Sequence, residues 1–521
     1  MQIKNPVLAG FNPDPCILAA KGKYYLATST FEYYPGVQIF ESADLVNWKV
    51  VARPVDDERE DRRGLTQGGG VWAPCLSYDG KRFYLVYSKV TSWSIEPFKD
   101  VDNYVITADS VEGEWSEPTY LNSDGFDASL FHDGDKSYYM SVNWDYRKAV
   151  GAPQFAGILL WEFDRQTLKR VGKPVNIFKG TDRGLVEAPH IYKEGEYYYL
   201  ITAEGGTKEE HATTVARSKN VFGPYELHPL KHLITSLGTD NPLQKAGHGS
   251  LCKDGEGNYY FAHLCGRKLF NGCCVLGRET CIQNVVFKDG WPYLENGTTE
   301  PSAYYTVPYE VVKEENKGGV IEFNGYTLKN VYQSLRAPIN DRMEVLSSRT
   351  IRLRGAETIV STQKQTVLLV RQAHYKFEAS FKMKFSPENY KEVAGLLYRY
   401  DEADQYLFYV TFDEQTKGNV LNVFKIHGKD FEYIPLNVNV GEEVYLKVKA
   451  DQNGGTFYYS EDGSNYIPVY QNFDVWFLSD EGASPMGFTG AFVGMYVGDY
   501  SNRERCAEFT DFTYLNEEGD Q

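Results

Sequence analysis

Asp14-Pro15-Cys16-Ile17, followed by the aromatic run Lys23-Tyr24-Tyr25-Leu26, is the first of five copies of one phrase that recurs about every 60 residues in the first half of the chain. The second copy is Trp72-Ala73-Pro74-Cys75-Leu76, then Asp79-Gly80 and Arg82-Phe83-Tyr84-Leu85. The third is Asp127-Ala128-Ser129-Leu130, then Asp133-Gly134 and Tyr138-Tyr139-Met140. Glu187-Ala188-Pro189-His190-Ile191 precedes Glu196-Tyr197-Tyr198-Tyr199-Leu200 in the fourth, and His248-Gly249-Ser250-Leu251 precedes Asp254-Gly255 and Tyr259-Tyr260-Phe261 in the fifth. Short aromatic strands separated by Gly or Asp turns at this period predict propeller blades, because one small sheet cannot bury both of its faces alone. Five copies predict five blades. In a closed ring, equivalent residues of successive blades point toward one axis, so Asp14, Asp127 and Glu187, read as matched positions, are expected to meet in one pocket.

A second signal follows several copies: Ser42-Ala43-Asp44-Leu45 with Trp48, Ser110-Val111 with Trp115, and Ser218-Lys219-Asn220-Val221 with Tyr225. These read as outer strands of the blades. The phrase disappears after Gly277-Arg278-Glu279-Thr280, and the stretch Lys313-Glu314-Glu315-Asn316-Lys317-Gly318-Gly319 reads as a connector. Beyond it, Tyr375-Lys376-Phe377-Glu378-Ala379-Ser380-Phe381, Gln405-Tyr406-Leu407-Phe408-Tyr409-Val410 and Val444-Tyr445-Leu446-Lys447-Val448 alternate as half-buried strands do. The expected architecture is all-β, a five-bladed β-propeller over residues 1–307 followed by a C-terminal β-sandwich over residues 320–521.

Composition narrows the function. The chain has 54 basic and 71 acidic residues, net −17, with no basic run to track a phosphate backbone, so nucleic acid is not expected as a partner. No apolar stretch has the length of a signal peptide or of a membrane span, which points to a cytoplasmic protein with no membrane association. With 40 Tyr, 29 Phe and 8 Trp the chain has aromatic surface both for sheet packing and for stacking on sugar rings. Its eight cysteines show no paired spacing, so they read as reduced, buried thiols rather than a zinc site or disulfide frame. A homo-oligomer is compatible with the sequence.

The acids carry the chemistry. Asp14 stands between Pro13 and Pro15, a rigid mount suited to a general base, although Asp beside Pro also commonly caps a turn. Turn capping alone gives no reason for three acids to share a blade position. Glycoside hydrolysis needs one protonated carboxyl at the leaving oxygen and one carboxylate aimed at water, and like charges in one pocket push one pKa up. Glu187, with the longer arm, suits the general acid, and Asp127 would orient it and tune its pKa. His248 takes the position of the acids in the fifth blade and is a candidate to hold a water or a hard cation such as calcium. Arg278 is placed to bind sugar hydroxyls or a carboxylate, Trp72 to stack on a sugar ring, and Phe31 and Trp144 to wall the next sugar.

At Asn12-Pro13-Asp14-Pro15, Gly125-Phe126-Asp127-Ala128-Ser129-Leu130-Phe131, Val186-Glu187-Ala188-Pro189-His190, Gly247-His248-Gly249-Ser250 and Gly277-Arg278-Glu279-Thr280, the chain resembles the β-xylosidases of glycoside hydrolase family 43. Ala394-Gly395-Leu396 and Phe488-Thr489-Gly490-Ala491-Phe492-Val493-Gly494 are similar to that family's sandwich. The resemblance implies an inverting exo-β-1,4-xylosidase acting on xylo-oligosaccharides, with Asp14 as general base, Asp127 as pKa modulator and Glu187 as general acid. It further implies that Arg278 binds the terminal sugar and that His248 lies beneath it, where some members hold calcium; the chemistry itself needs no cofactor. The family commonly has glycine at the position of Ala188. In the xylosidase branch an aromatic side chain from the sandwich closes the pocket, and Ala507-Glu508-Phe509 resembles that segment, with Phe512 as the second choice. The rival readings are an α-L-arabinofuranosidase of the same fold and a non-catalytic carbohydrate-binding propeller.

Overall fold

Each of the five phrases folds into four consecutive antiparallel strands, in a computed structural model that describes residues 1–56, 62–93, 97–147, 154–269, 271–314, 318–484 and 486–518. The first blade is Cys16–Ala20, Lys23–Thr28, Gln38–Ser42 and Lys49–Ala52; the fourth is Glu187–Glu194, Tyr197–Glu204, Ala212–Ser218 and Glu226–Thr235. Burial falls from hub to rim. The innermost strand Gly70–Tyr78 of the second blade is buried along nearly its whole length, whereas the outermost strand of the third blade, Lys169–Phe178, is largely exposed. This gradient explains the sequence: inner strands pack on neighbouring blades on both faces and lose simple alternation, and rim strands tolerate polar residues.

The ring closes through the amino-terminal segment. Leu8 bridges Thr280 of the fifth blade, Asn12 N–H donates to Arg278 O at 2.9 Å, and Gln2–Lys4 pairs with Tyr304–Thr306. The segments read as outer strands are instead turns. Trp48 Nε1 donates to Leu45 O, Trp115 Nε1 to Val111 O, and Tyr225 OH to Val221 O, so the repeated aromatic clips a polar turn leading to the rim strand.

The second half is a sandwich of an eight-stranded and a six-stranded antiparallel sheet. Gly318 and Gly319, expected within the connector, open the strand Gly318–Val320, which pairs with Cys506–Asn516; residues 315–317 of the connector lie outside the described residues. The two halves pack at backbone distance. Gly277 sits at φ +71°, and a Cβ there would lie 2.3 Å from Thr489 O, so this close approach requires glycine. Tyr33 stacks on Phe492 with centroids 3.8 Å apart, and Arg371 Nε donates to Phe11 O at 2.8 Å.

Candidate active site

One backbone feature repeats in every blade. Asp14, Ala73, Asp127, Ala188 and His248 all adopt left-handed conformations, with φ of 55°, 36°, 54°, 51° and 43°. For a residue with a side chain this costs about 1–2 kcal/mol, so its recurrence marks a kink that the ring imposes as each blade enters the hub. The kink also gives the true register of the repeat. Asp14 and Asp127 are equivalent, but Glu187 precedes the kink by one residue and is equivalent to Trp72; the expected matched phase of all three acids is corrected to two plus one. Strand pairing agrees: Trp72 and Glu187 are each the last paired residue before the bulge.

The kinks and the residues beside them line a pocket of about 330 Å³ that contains Asp14, Asp127, Glu187, His248, Arg278, Phe31 and Trp72. All three acids are buried. Asp14 is gripped at both oxygens: Arg278 Nη1 donates to Oδ1 at 2.9 Å and Ser29 Oγ to Oδ2 at 2.6 Å. Burial raises the Asp14 carboxyl, but Arg278, His248 and Ser29 outweigh it and hold it below the ordinary value. Burial lowers His248 to about 4 despite Asp14 at 3.5 Å, so at neutral pH the imidazole is uncharged and Arg278 and Ser29 keep Asp14 ionised.

Glu187 has no such grip. Burial, then the Asp14 charge, pushes it up to about 7 against the opposing pull of Lys99 and Arg278. Asp127 is pushed up by burial, then by Glu187 and Asp14, while its Oδ2 accepts the Ala188 N–H at 3.1 Å. Asp127 and Glu187 therefore titrate as a pair that retains a proton where Asp14 is ionised. One ionised and one protonated carboxyl in a shared pocket are the two states that acid–base cleavage of a glycosidic bond requires.

Arg278 is fixed from both halves of the molecule. Its Nη2 donates to the carbonyl of Phe488, a sandwich residue, at 3.0 Å, and its guanidinium lies 5.2 Å from the Phe31 ring and 5.8 Å from the Phe488 ring. Phe488 also stacks on Phe31 and meets Trp72 edge-on at 5.7 Å. The sandwich aromatic at the pocket is thus Phe488, accompanied by Met486. Phe509 and Phe512 are corrected: both are fully buried in the sandwich core, where Phe509 pairs with Ile351 and packs edge-on against Phe381. Asp511, at φ +60°, shifts the strand's phase between them, which is why two Phe residues three apart face the same core.

Trp144 is also corrected. It stands behind the pocket wall, donating its indole N–H to Pro97 O and packing on Phe126 and Phe155, which are the rings that line the pocket. Lys99, missed in the sequence, places Nζ 5.2 Å from Trp72, 5.1 Å from Phe126 and 4.8 Å from Trp144. His211 was missed as well. It lies against Gly247, where a Cβ would come within 2.6 Å of the ring, so the Gly247-His248-Gly249 sequence serves packing rather than mobility. At His248, the candidate cation position, the near side chains are Asp14, His190, His211 and Arg278, so a calcium ion held there would take most of its oxygen ligands from water.

The profile of glycosyl hydrolases family 43 matches residues 3–292, and that of the beta xylosidase C-terminal concanavalin A-like domain matches residues 320–515. The chain is 42% identical to a beta-xylosidase of Bacillus subtilis (strain 168) over 99% of both chains. It is 41% identical to the xylosidase/arabinosidase 43B of Humicola insolens, over 98% of this chain and 97% of that one. The crystal structure of xylan beta-1,4-xylosidase from Bacillus halodurans C-125 superposes with a TM-score of 0.93 at 41% identity, covering 99% of this chain and 100% of the other. No helix among the described residues is long and apolar enough to cross a membrane. With its propeller, its sandwich and its buried carboxyls converging on one pocket, this chain belongs to glycosyl hydrolases family 43.

Proposed function

We infer that the chain is an inverting, exo-acting β-xylosidase that releases xylose from the non-reducing end of xylo-oligosaccharides. The observation that carries the reading is the opposite treatment of two carboxyls in one pocket: Asp14 held ionised by Arg278 and Ser29, Glu187 held protonated by burial and the Asp14 charge. Asp14 takes a proton from the attacking water as that oxygen bonds to the anomeric carbon. Glu187 gives its proton to the leaving glycosidic oxygen as the carbon–oxygen bond breaks. Asp127 holds the Ala188 amide beside Glu187 and, through like-charge repulsion, keeps the last proton on the pair. Arg278 and the Phe31, Trp72 and Phe488 rings present one apolar wall and one fixed donor to a single terminal pentose.

A pocket roofed by Phe488 and Met486 favours terminal cleavage over attack within a long chain. The Humicola relative's name couples xylosidase with arabinosidase, and the same pocket is expected to accept α-L-arabinofuranosides as a secondary substrate. Proton NMR of xylobiose hydrolysis decides the chemistry. The α-anomer of xylose is expected first, and initial β-xylose would overturn the inverting assignment; faster release from aryl arabinofuranosides than from aryl xylosides would reverse the order of substrates.

A further inference from the structure

Two residues beyond each kink, the inner strands carry Cys16, Cys75, Ser129, His190 and Ser250. These five positions form a ring around the hub, one layer below the catalytic pocket. Four of them make the same contact, donating to a main-chain carbonyl of an adjacent blade: Cys16 Sγ to Leu76 O at 3.5 Å, Cys75 Sγ to Leu130 O at 4.0 Å, Ser129 Oγ to Pro189 O, and Ser250 Oγ to Pro15 O at 2.9 Å. Serine therefore suffices to tie blades together at this level. Yet three of the five, from the first, second and fourth blades, converge: the Cys16 and Cys75 sulfurs and a His190 ring nitrogen all lie within 4.8 Å of one another.

We propose that Cys16, Cys75 and His190 form a binding site for one thiophilic cation, zinc in the first instance, distinct from the catalytic pocket. Two sulfurs and an imidazole nitrogen are a soft donor set that suits zinc and disfavours calcium or magnesium. Tetrahedral zinc, with Zn–S about 2.3 Å and Zn–N about 2.0 Å, sets such donors about 3.6–3.8 Å apart, so side-chain shifts of about 1 Å close the site. The ion has a path. A second cavity of about 260 Å³ touches all three residues and extends to Lys193, Glu194 and Lys253, at the ends of the inner strands remote from Glu187. The fourth coordination position faces this cavity and takes water from it. On binding, both sulfurs coordinate as thiolates, and their protons leave to solvent by the same route. Cys265 and Cys281, with sulfurs 3.1 Å apart in the fifth blade, have no histidine in such a group among the described residues and serve as an internal control.

The test uses the full chain, stripped with a chelator and kept reduced, titrated with zinc chloride and separately with cobalt chloride. The expected result is one zinc per chain, a melting temperature that rises with zinc concentration, and a thiolate-to-cobalt charge-transfer band. Cys75→Ser and His190→Asn should each weaken binding at least tenfold, and Cys281→Ser should leave it unchanged. X-ray absorption of the zinc-loaded unmodified chain, which needs no variant to fold, should show two sulfur neighbours. The proposal is overturned by no saturable binding, by binding that Cys281→Ser alone abolishes, by a zinc shell of nitrogen and oxygen only, or by a Cys16–Cys75 disulfide that persists under reductant.

Discussion

The main-chain N–H of Ala188 donates to Asp127 Oδ2 at 3.1 Å, tying the residue next to Glu187 to the carboxyl of the preceding blade. This bond and the charge of Asp127 are separable by mutation. Asp127→Asn keeps an acceptor for the amide and removes the titrating carboxyl that burial, Glu187 and Asp14 push up, so Glu187 alone is left to hold the pair's proton. The alkaline limb of the kcat/KM profile should then move to lower pH. Asp127→Ala loses the hydrogen bond as well and should also depress kcat at the optimum, by about tenfold or more for an amide left without its buried partner. Identical profiles for the two variants would show that the charge alone matters.

Glu187→Gln tests the acid directly. A general acid contributes about 10²–10⁴-fold, and it matters most when the leaving group is a poor one. Turnover of xylobiose should fall by that factor, and turnover of an aryl xyloside with an acidic phenol should fall far less. Equal losses on both substrates would remove the proton-donor role.

The same variant has a stability signature whose sign follows from linkage. The Glu187 carboxyl rises from 4.5 to about 7 on folding. Below about 4.5 it is protonated in both states and costs nothing; between there and about 7 the unfolded chain ionises while the folded one resists, so stability is lost as pH rises. At pH 8 the cost is at most about 3 kcal/mol. Glu187→Gln should therefore raise the melting temperature at pH 8 more than at pH 4, and calorimetry at the two values checks it.

Much of this was legible in the sequence because a propeller writes its geometry as a period. The aromatic runs and the Asp14 and Asp127 phrases recur at positions the ring makes equivalent, and the structure brings Asp14 and Asp127 to one pocket. The one-residue offset of Glu187 was not legible, since the phrase shows an acid before Ala-Pro but not which residue takes the left-handed kink. Phe509 misled because a bulge at Asp511 hides the facing of its strand, whereas Phe488 lies outside any strand, where no alternation exists to read. The thiols of Cys16 and Cys75 look scattered at a separation of 59 residues, and only the ring register makes them neighbours of His190.

Arg278 offers a matching test at the acid limb. It is the strongest influence opposing burial at Asp14. Arg278→Leu should let burial raise Asp14, moving the acid limb of kcat/KM to higher pH, and should raise KM through loss of the fixed donor. An unmoved acid limb would assign that limb to another group and leave Asp14 without its role as base.

Phe488→Ala and Phe509→Ala form a contrasting pair. Phe488 covers the pocket and its neighbours Phe31 and Trp72 remain in place without it, so its truncation should raise KM severalfold and expose Arg278 to water while the melting temperature changes little. Phe509 sits in the sandwich core against Phe381, Ile351 and Met383. Its truncation leaves a cavity and should cost about 3–5 kcal/mol of stability, with KM unchanged in the folded fraction. Thermal unfolding and steady-state kinetics on both variants separate the two roles, and a KM defect confined to Phe509→Ala would return the pocket-closing role to that residue.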